Sequence, residues 1–205
     1  MKFETFAALD RLDFITHAFA QRCAEDTRAD AYQDGVLEAL GFPKTVFASA
    51  EQSHGNGVAV VAAPVSRASA VDALITTTLR LPLLIRCADC ATVYLVDPVL
   101  QAIGLVHSGK AGTRANIVGC ALASMRQHFG TNPSDCLAVI SPSIGPCHYE
   151  VNIWNGIEQQ LHDAGVVGIH NPRTCTACHL DRYFSYRAEK GATGRMIAVL
   201  ALTPP

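Results

Sequence analysis

The sequence predicts one domain with a mixed β-sheet, of the α/β or α+β class. Short aliphatic segments interleave with amphipathic helical segments, and the pattern continues to Leu202 without a repeat or a long linker. One turn joins two of the aliphatic segments through too few residues for a parallel crossover. A length of 205 residues suits one well-buried domain, so we expect the domain to span residues 1–205.

Six aliphatic segments are predicted to be buried strands, because they hardly alternate between apolar and polar residues. They are residues 58–65, 81–86, 91–98, 102–107, 136–143 and 196–202. The Asp97-Pro98 turn stands between the third and fourth segments, which favours a hairpin.

Three helices are predicted from apolar spacing and end signals. The clearest covers residues 113–129, with Thr113 as the cap and Gly130 as the stop. A second covers 152–164, with Asn152 as the cap and Gly165 after its end. A third covers 31–40.

Composition favours an ordinary globular protein and gives no basic block for a nucleic-acid partner. Hydrophobic residues make up 49% of the chain, charged residues 17%, and the formal net charge is −2. The first residues carry acids and no continuous apolar core, which is untypical of a targeting segment, and no apolar run approaches the roughly 18 residues of a membrane helix. We therefore expect a cytoplasmic protein without a membrane partner, whose eight cysteines are thiols.

Three short motifs place metal-binding residue types at predicted strand ends: His54 in QSHG, Cys90 in ADC and His107 in VHSG. Two histidines and one cysteine are a ligand set that a zinc enzyme uses while leaving one position for water or substrate. Their sequence separations are irregular, so the spacing alone leaves open a metal site or unrelated polar residues at strand ends. If residues 87–90 are extended, Cys87 and Cys90 point to opposite faces and do not share an ion.

Positive charge accompanies these motifs. Lys110 and Arg114 lie in and after the small-residue loop SGKAGT, which exposes backbone N–H groups where anions bind. Arg187 and Arg195 follow near the C-terminus and are suited to charge-assisted hydrogen bonds with phosphate or carboxylate.

Five motifs over residues 52–195 carry a resemblance to a known family. They are Q-x-H-G, A-D-C with an apolar strand and D-P, H-x-G-x-x-G-T, I-G-P-C-x-Y-E-V, and C-T followed by F-S-Y-R and T-G-R. In this order they resemble the laccase-domain or multicopper polyphenol oxidase family, which contains the YfiH-like proteins. The chain departs from the family loop H-A-G-W-R-G-T, because Lys110 and Ala111 replace its Trp-Arg pair.

The resemblance implies a single domain of mixed sheets flanked by helices and a zinc-dependent purine nucleoside phosphorylase, with adenosine deaminase and methylthioadenosine phosphorylase activities also attributed to the family. It implies that His54, Cys90 and His107 hold Zn²⁺, with copper as the other metal the site would take. Cys90 and Asp89 are the expected catalytic residues. Nucleoside and phosphate are the expected partners, and the residues expected to bind them are Gln52, Lys110, Arg114, Arg187 and Arg195.

Three alternatives stay open. Cys90 would be the nucleophile of a cysteine hydrolase acting on peptidoglycan precursors, with His54 or His107 as the base. A copper-binding polyphenol oxidase is disfavoured, because no two of the eight histidines form the H-x-H pair of a three-copper cluster. A non-enzymatic module would bind zinc through two C-x-x-C pairs, Cys87 with Cys90 and Cys175 with Cys178.

Overall fold

Two six-stranded mixed sheets lie face to face at the centre of the computed structural model, which describes residues 1–24, 27 and 30–204. Residues 25, 26, 28, 29 and 205 of the predicted 1–205 domain lie outside the described residues. The first sheet contains, in spatial order, β1 (Phe3–Glu4), β2 (Ile15–Ala20), β12 (Met196–Leu202), β7 (Leu83–Cys87), β3 (Ala48–Ala50) and β5 (Val65–Ala68). The second contains β11 (Gly168–His170), β10 (Leu137–Ile140), β8 (Ala91–Asp97), β9 (Ala102–Ser108), β6 (Ala73–Thr76) and β4 (Val58–Val60).

The central strands are buried on both faces, which explains why their sequences do not alternate. In β12, Met196, Ala198 and Leu200 pack between the two sheets, while the residues between them pack outward against a helix. That helix is α1 (Asp30–Ala39), and the far face of the second sheet is covered by α3 (Ile117–Phe129) and α4 (Ile153–Asp163). The layers are therefore helix, sheet, sheet and helices, which confirms the predicted fold class.

The predicted hairpin and helix ends are largely confirmed. Strands β8 and β9 pair antiparallel, and the Oδ1 atom of Asp97 accepts hydrogen bonds from the backbone N–H groups of Val99 and Leu100 in the turn. Gly130 ends α3 in the left-handed conformation, with a φ of 79°. Asn152 caps α4 by accepting a hydrogen bond from the N–H of Asn155.

Two predicted elements are each divided in the structure. The single strand over 58–65 is two strands in different sheets, because the chain crosses between the sheets at 61–64 and Pro64 has no N–H for a ladder. The helix over 113–129 is interrupted: a short α2 (Lys110–Arg114) ends before Asn116, whose left-handed φ of 59° precedes α3. Thr113 lies inside α2 and its hydroxyl bonds to that of Ser108, so it is not the cap.

Strands β1, β2, β3, β6 and β11 were not predicted by the sequence pattern. No helix among the described residues combines the length and the apolar character needed to span a bilayer.

Candidate metal centre and substrate cavity

Three predicted ligands, His54, Cys90 and His107, converge and are called here the His–Cys–His group. Their nearest ligand atoms all lie within 4.8 Å of one another, and the two imidazole rings meet edge to face with centroids 4.9 Å apart. The hairpin register creates this proximity: Ala91 pairs with Ser108, so the residue before β8 lies beside the residues that end β9. His54 reaches them from the loop after β3.

Gly109 makes room for the cysteine of this group. A Cβ atom at this position would lie 2.6 Å from the Sγ atom of Cys90 and 3.7 Å from the Cδ2 atom of His54. The first distance is far inside van der Waals contact, so a side chain here would displace Cys90. The glycine of the VHSG motif is therefore required by close approach to Cys90.

Asp72, which the sequence pattern did not single out, holds both histidines. This fully buried carboxylate accepts hydrogen bonds from the N–H of His54 (2.9 Å), the N–H of Gly55 (2.8 Å) and the hydroxyl of Ser53 (3.1 Å). Its Oδ1 atom also lies 2.8 Å from the Nδ1 atom of His107. Because a carboxylate only accepts, Nδ1 of His107 carries the proton and Nε2 is left as the free ligand atom.

The surroundings of the group favour a neutral His107 and an ionised Asp72. Burial and the neighbouring His54 lower the pKa of His107 against the raising effect of Asp72. Burial opposes ionisation of Asp72, but hydrogen bonds from His107, Gly55 and His54 bring the pKa of its carboxyl below the usual value. Burial, then the Asp89 charge, raises the pKa of the Cys90 thiol to about 11.

Cys87 and Asp89 precede Cys90 in the sequence, and the side chain of each contacts other parts of the protein. Cys87 is buried in the core between the sheets, where burial raises the pKa of its thiol to about 12. It stands apart from the His–Cys–His group, as predicted, although residues 88–90 form a bend and Asp89 has a φ of 80°, so the assumed extended conformation is wrong. The carboxylate of Asp89 accepts hydrogen bonds from the hydroxyl of Thr176 (2.6 Å) and the N–H of Arg187 (2.7 Å). Each oxygen thus accepts one hydrogen bond that holds the bend, and the catalytic role of Asp89 stays a prediction.

Gln52 is likewise engaged within the protein. Its side-chain amide donates to the carbonyl of Arg86 at 2.6 Å and accepts from the N–H of Arg86 at 2.9 Å. The amide therefore replaces a neighbouring strand at the end of β7. Gln52 also lines the cavity, and its contact with substrate stays a prediction.

A cavity of about 1380 Å³ opens beside the His–Cys–His group and is called here the substrate cavity. Eight of the nine predicted site residues line it, the exception being Arg114. Arg114 is exposed and lines a neighbouring depression of about 730 Å³, which also touches His54, Cys90, Lys110 and Tyr149. In the SGKAGT segment, Gly109 precedes the five-residue α2 and Lys110 begins it, so the segment is the start of a helix rather than an open loop.

The cationic side of the substrate cavity is organised by Glu150 and Tyr149. One carboxylate oxygen of Glu150 accepts from Nζ of Lys110 at 3.0 Å, and the other accepts from Arg187 at 3.1 Å. The guanidinium of Arg187 also lies 4.7 Å from the ring centroid of Tyr149. Arg195 donates to the carbonyl of Gly194 at 2.8 Å and forms no ion pair with a described residue. Tyr149 and Glu150 stand inside the I-G-P-C-x-Y-E-V motif, which was the signal available for them.

The two C-x-x-C pairs do not form one site, so the four-cysteine module is wrong as an arrangement. Cys175 and Cys178 cluster with Cys147 and His148, whereas Cys90 belongs to the His–Cys–His group and Cys87 to the core.

Comparison with known proteins agrees with this fold and these motifs. The family model described as multi-copper polyphenol oxidoreductase laccase matches residues 23–153 and 151–203. The crystal structures of YlmD from Geobacillus stearothermophilus and of the hypothetical protein YfiH from Bacillus licheniformis each superpose with a TM-score of 0.89 at 23% identity. The first alignment covers 94% of this chain and 93% of YlmD, and the second covers 98% of both chains. At this identity the likeness concerns the fold.

Curated relatives share more of the sequence. Purine nucleoside phosphorylase YlmD from Geobacillus stearothermophilus is 29% identical over 220 aligned positions, which cover 85% of this chain and 80% of the relative. Purine nucleoside phosphorylase ORF3 from Streptomyces griseus is 33% identical over 175 positions, which cover 71% and 70%. With its fold, its ordered motifs and a family match over most of its length, the chain belongs to the multi-copper polyphenol oxidoreductase laccase family.

Proposed function

We propose that the protein is a zinc-dependent purine nucleoside phosphorylase, which cleaves adenosine- or inosine-type nucleosides with phosphate. The observation that carries the proposal is the convergence of the His–Cys–His group with Lys110, Arg187 and Arg195 on one cavity. The names of the curated relatives support the same reaction class.

The donor set fits a zinc ion. Two imidazoles and one thiolate are a catalytic zinc ligand set, and the substrate cavity beside them would leave room for water or substrate at a bound ion. Asp72 fixes the ring of His107 with Nε2 free, and a carboxylate bonded to the other ring nitrogen is the usual arrangement for a metal-binding histidine. Zinc bound there would supply a Lewis acid that neutralises charge on a substrate oxygen.

The chain's own cations would hold phosphate for attack. Arg187 and Lys110 now share the carboxylate of Glu150, and phosphate entering the substrate cavity would compete with that carboxylate for them. Arg195 has no carboxylate partner among the described residues and would donate directly. These groups would orient phosphate toward C1′ of the ribose while the purine leaves.

The nucleoside would occupy the remaining volume of the substrate cavity. Phe47, Tyr149 and Tyr186 line it and offer apolar surface for a purine and a ribose. Adenosine deamination and methylthioadenosine phosphorolysis are further activities that we propose for this cavity. Deamination requires water in place of phosphate, so the phosphate requirement separates the reactions.

The test incubates the zinc-loaded protein with inosine, adenosine or methylthioadenosine, with and without phosphate, and measures free base, ribose 1-phosphate and ammonia. Phosphate-dependent release of free base is expected, and His54→Ala and Cys90→Ser should abolish it together with metal binding at the His–Cys–His group. Absence of both free base and ammonia from metal-replete protein would contradict the proposal. Cys120→Ser is the control, because Cys120 belongs to neither metal-binding group of the described residues.

Phosphate handling has its own test. Loss of a hydrogen bond to an ionised group costs about 1.5–3 kcal/mol, so Arg195→Gln should lower kcat/KM for phosphate roughly tenfold to hundredfold. Glu150→Gln should lower the KM for phosphate, because the competing carboxylate is weakened. The matched control is Arg126→Gln, on the exposed surface of α3. An unchanged phosphate dependence in Arg195→Gln would remove Arg195 from the proposed site.

A cysteine hydrolase is the second candidate, because Asp72, His107 and Cys90 are arranged like an acid, a base and a nucleophile. The raised pKa of Cys90, about 11, works against a free thiolate near neutral pH. Chelation decides between the two: it should abolish a zinc reaction and preserve or increase amide hydrolysis by the thiol.

Copper oxidase chemistry has the weakest support. The His–Cys–His group offers one metal position, and the described residues form no cluster of paired histidines for three coppers. Several coppers per chain in the purified protein, with oxidation of phenols, would reverse this ranking.

A further inference from the structure

We propose that Cys147, His148, Cys175 and Cys178, called here the Cys–His–Cys–Cys group, form a second metal site that binds a structural zinc ion. The four side chains offer three sulfurs and one imidazole nitrogen, all within 4.8 Å of one another. This site is separate from the His–Cys–His group and does not depend on the proposed function.

The distances match the edges of a zinc tetrahedron. With Zn–S near 2.3 Å and Zn–N near 2.05 Å, two sulfurs should lie about 3.8 Å apart and a sulfur and a nitrogen about 3.6 Å apart. The Sγ atoms of Cys147 and Cys178 are 3.5 Å apart. The Nδ1 atom of His148 lies 3.3 Å from Sγ of Cys147, 3.5 Å from Sγ of Cys178 and 3.8 Å from Sγ of Cys175. One ion at the centre would therefore bind all four with only small shifts.

Two separate chain segments are held together to build this group. The segment after β10 and the segment after β11 form a parallel bridge at Ser143 and Cys175, and the N–H of Thr176 donates to the carbonyl of Ser143 at 3.2 Å. The N–H of Gly145 points at Sγ of Cys175 at 3.2 Å. A backbone donor to the sulfur stabilises a thiolate ligand, as other outer hydrogen bonds do at metal sites.

A disulfide and a set of thiol hydrogen bonds explain the cluster less well. A disulfide requires sulfurs about 2.05 Å apart, and a bond between Cys147 and Cys178 would leave Cys175 and His148 without a role. Thiols are weak donors, which gives little reason for four such side chains to meet at one point where three of them are exposed. A shared cation supplies that reason.

The ion would stabilise one wall of the substrate cavity. Cys147 and His148 directly precede Tyr149 and Glu150, which organise the cationic side of that cavity. On the other segment, Thr176 lies between two of the cysteines and donates to Asp89, beside Cys90. Four protein ligands leave no open position, which is the arrangement of a structural rather than a catalytic zinc site.

Metal content tests the proposal. Protein purified under reducing conditions without chelator and loaded with zinc should contain two zinc ions per chain by elemental analysis. Cys178→Ser and His54→Ala should each contain one, the double variant none, and the control Cys120→Ser two. Equal zinc in Cys178→Ser and the unaltered protein would overturn the second site.

Alkylation of the unaltered protein keeps the test independent of how the variants fold. Cys147 and Cys178 are exposed, so without a metal they should react rapidly with iodoacetamide. With zinc bound they should be protected at least tenfold, as measured by peptide mass spectrometry, and chelation should restore their reactivity. Equal alkylation with and without chelator, or a Cys147–Cys178 disulfide in the zinc-loaded reduced protein, would contradict the proposal.

Discussion

At the scale of single residues, the geometry of the His–Cys–His group depends on Asp72. Its carboxylate accepts from the backbone of His54, the backbone of Gly55, the hydroxyl of Ser53 and the ring of His107. The loop that carries one ligand is therefore fixed to the strand that carries another. The backbone of His54 and the ring of His107 are held by the same buried anion.

We expect Asp72→Asn to weaken zinc binding at this group by roughly 10- to 100-fold, which is typical of losing a carboxylate that orients a metal-binding histidine. The asparagine amide would direct its N–H₂ group at hydrogen-bond donors that the carboxylate of Asp72 accepts from. It would also no longer favour the Nδ1–H tautomer of His107. Competition with a fluorescent chelator measures the affinity.

The matched control is Asp97→Asn. Asp97 is also fully buried in the second sheet, but its carboxylate accepts from the Val99 and Leu100 turn at the other end of the hairpin. The Asp97→Asn variant should have a lower free energy of unfolding and an unchanged zinc affinity. Equal affinities for zinc in Asp72→Asn and Asp97→Asn would show that Asp72 does not position the ligands.

The sequence predicts the metal-binding residues better than the residues that hold them in place. His54, Cys90 and His107 were found because His and Cys carry a recognisable chemistry beside predicted strand ends. Asp72 was missed because β6, which begins at the next residue, was not predicted and its partners lie 17 to 35 residues away along the chain. The backbone contacts of Gln52 were missed, because nothing in one sequence distinguishes an amide that binds backbone from one that binds substrate.

At the scale of elements, the loop between β10 and α4 is held by the indole ring of Trp154. The indole N–H donates to the hydroxyl of Ser143 at 2.8 Å, and the ring packs directly over Gly145. A Cβ atom on Gly145 would lie 2.5 Å from the Cη2 atom of that ring. The loop therefore approaches α4 as closely as a glycine allows.

Gly145→Ala should lower the free energy of unfolding by roughly 1–3 kcal/mol, since a buried ring must move to admit the methyl group. Urea denaturation measures the loss. Gly35→Ala in α1 is the control, because its Cβ would make only an ordinary 3.5 Å contact and alanine favours a helix. A Gly145→Ala protein as stable as Gly35→Ala would mean that the ring does not constrain the loop.

Element prediction succeeded where burial is continuous and failed where tertiary contacts set the ends. The apolar segments of β8, β9 and β12 are long enough to identify directly. The strand over 58–65 was extended too far because its apolar residues continue through the crossing between the sheets, and the helix over 113–129 because Asn116 is not a recognisable break. Strands of two to four residues, such as β1, carry too little pattern to identify.

At the scale of the whole molecule, an aromatic cluster joins the two sheets. The hydroxyl of Tyr94 in β8 donates to the carbonyl of Ala18 in β2 at 2.8 Å. His17 stacks on Phe6, and its Nε2 atom accepts a hydrogen bond from the N–H of Phe6 at 2.9 Å. The neutral ring is thus part of the packing between the sheets.

Burial lowers the pKa of His17 from 6.5, against the raising effect of Asp10. The unfolded chain therefore takes up a proton on His17 at a higher pH than the folded chain. The stability that the neutral His17 ring contributes is fully present above pH 6.5 and is lost as the pH falls through the lower folded pKa. The slope from this one group is at most about 1.4 kcal/mol per pH unit.

Urea denaturation at several pH values measures this slope, and His17→Gln, which keeps an acceptor, should reduce it. His170→Gln, at an exposed position, is the control and should leave it unchanged. If both variants lose stability with acid as steeply as the unaltered protein, His17 is not the responsible group.

The pairing of β8 with β9 makes the site depend on a turn that it does not contact. Asp97 pairs with Ala102 at one end of this hairpin, and Thr92 pairs with His107 five residues further on, roughly 17 Å away. Side chains alternate between faces, so a shift of one position brings the neighbouring side chain to the place of His107. The length of the turn at 98–101 therefore fixes which residue of β9 lies beside Cys90. Adding or deleting one residue there would move His107 away from the other two ligands without changing any of the three residues.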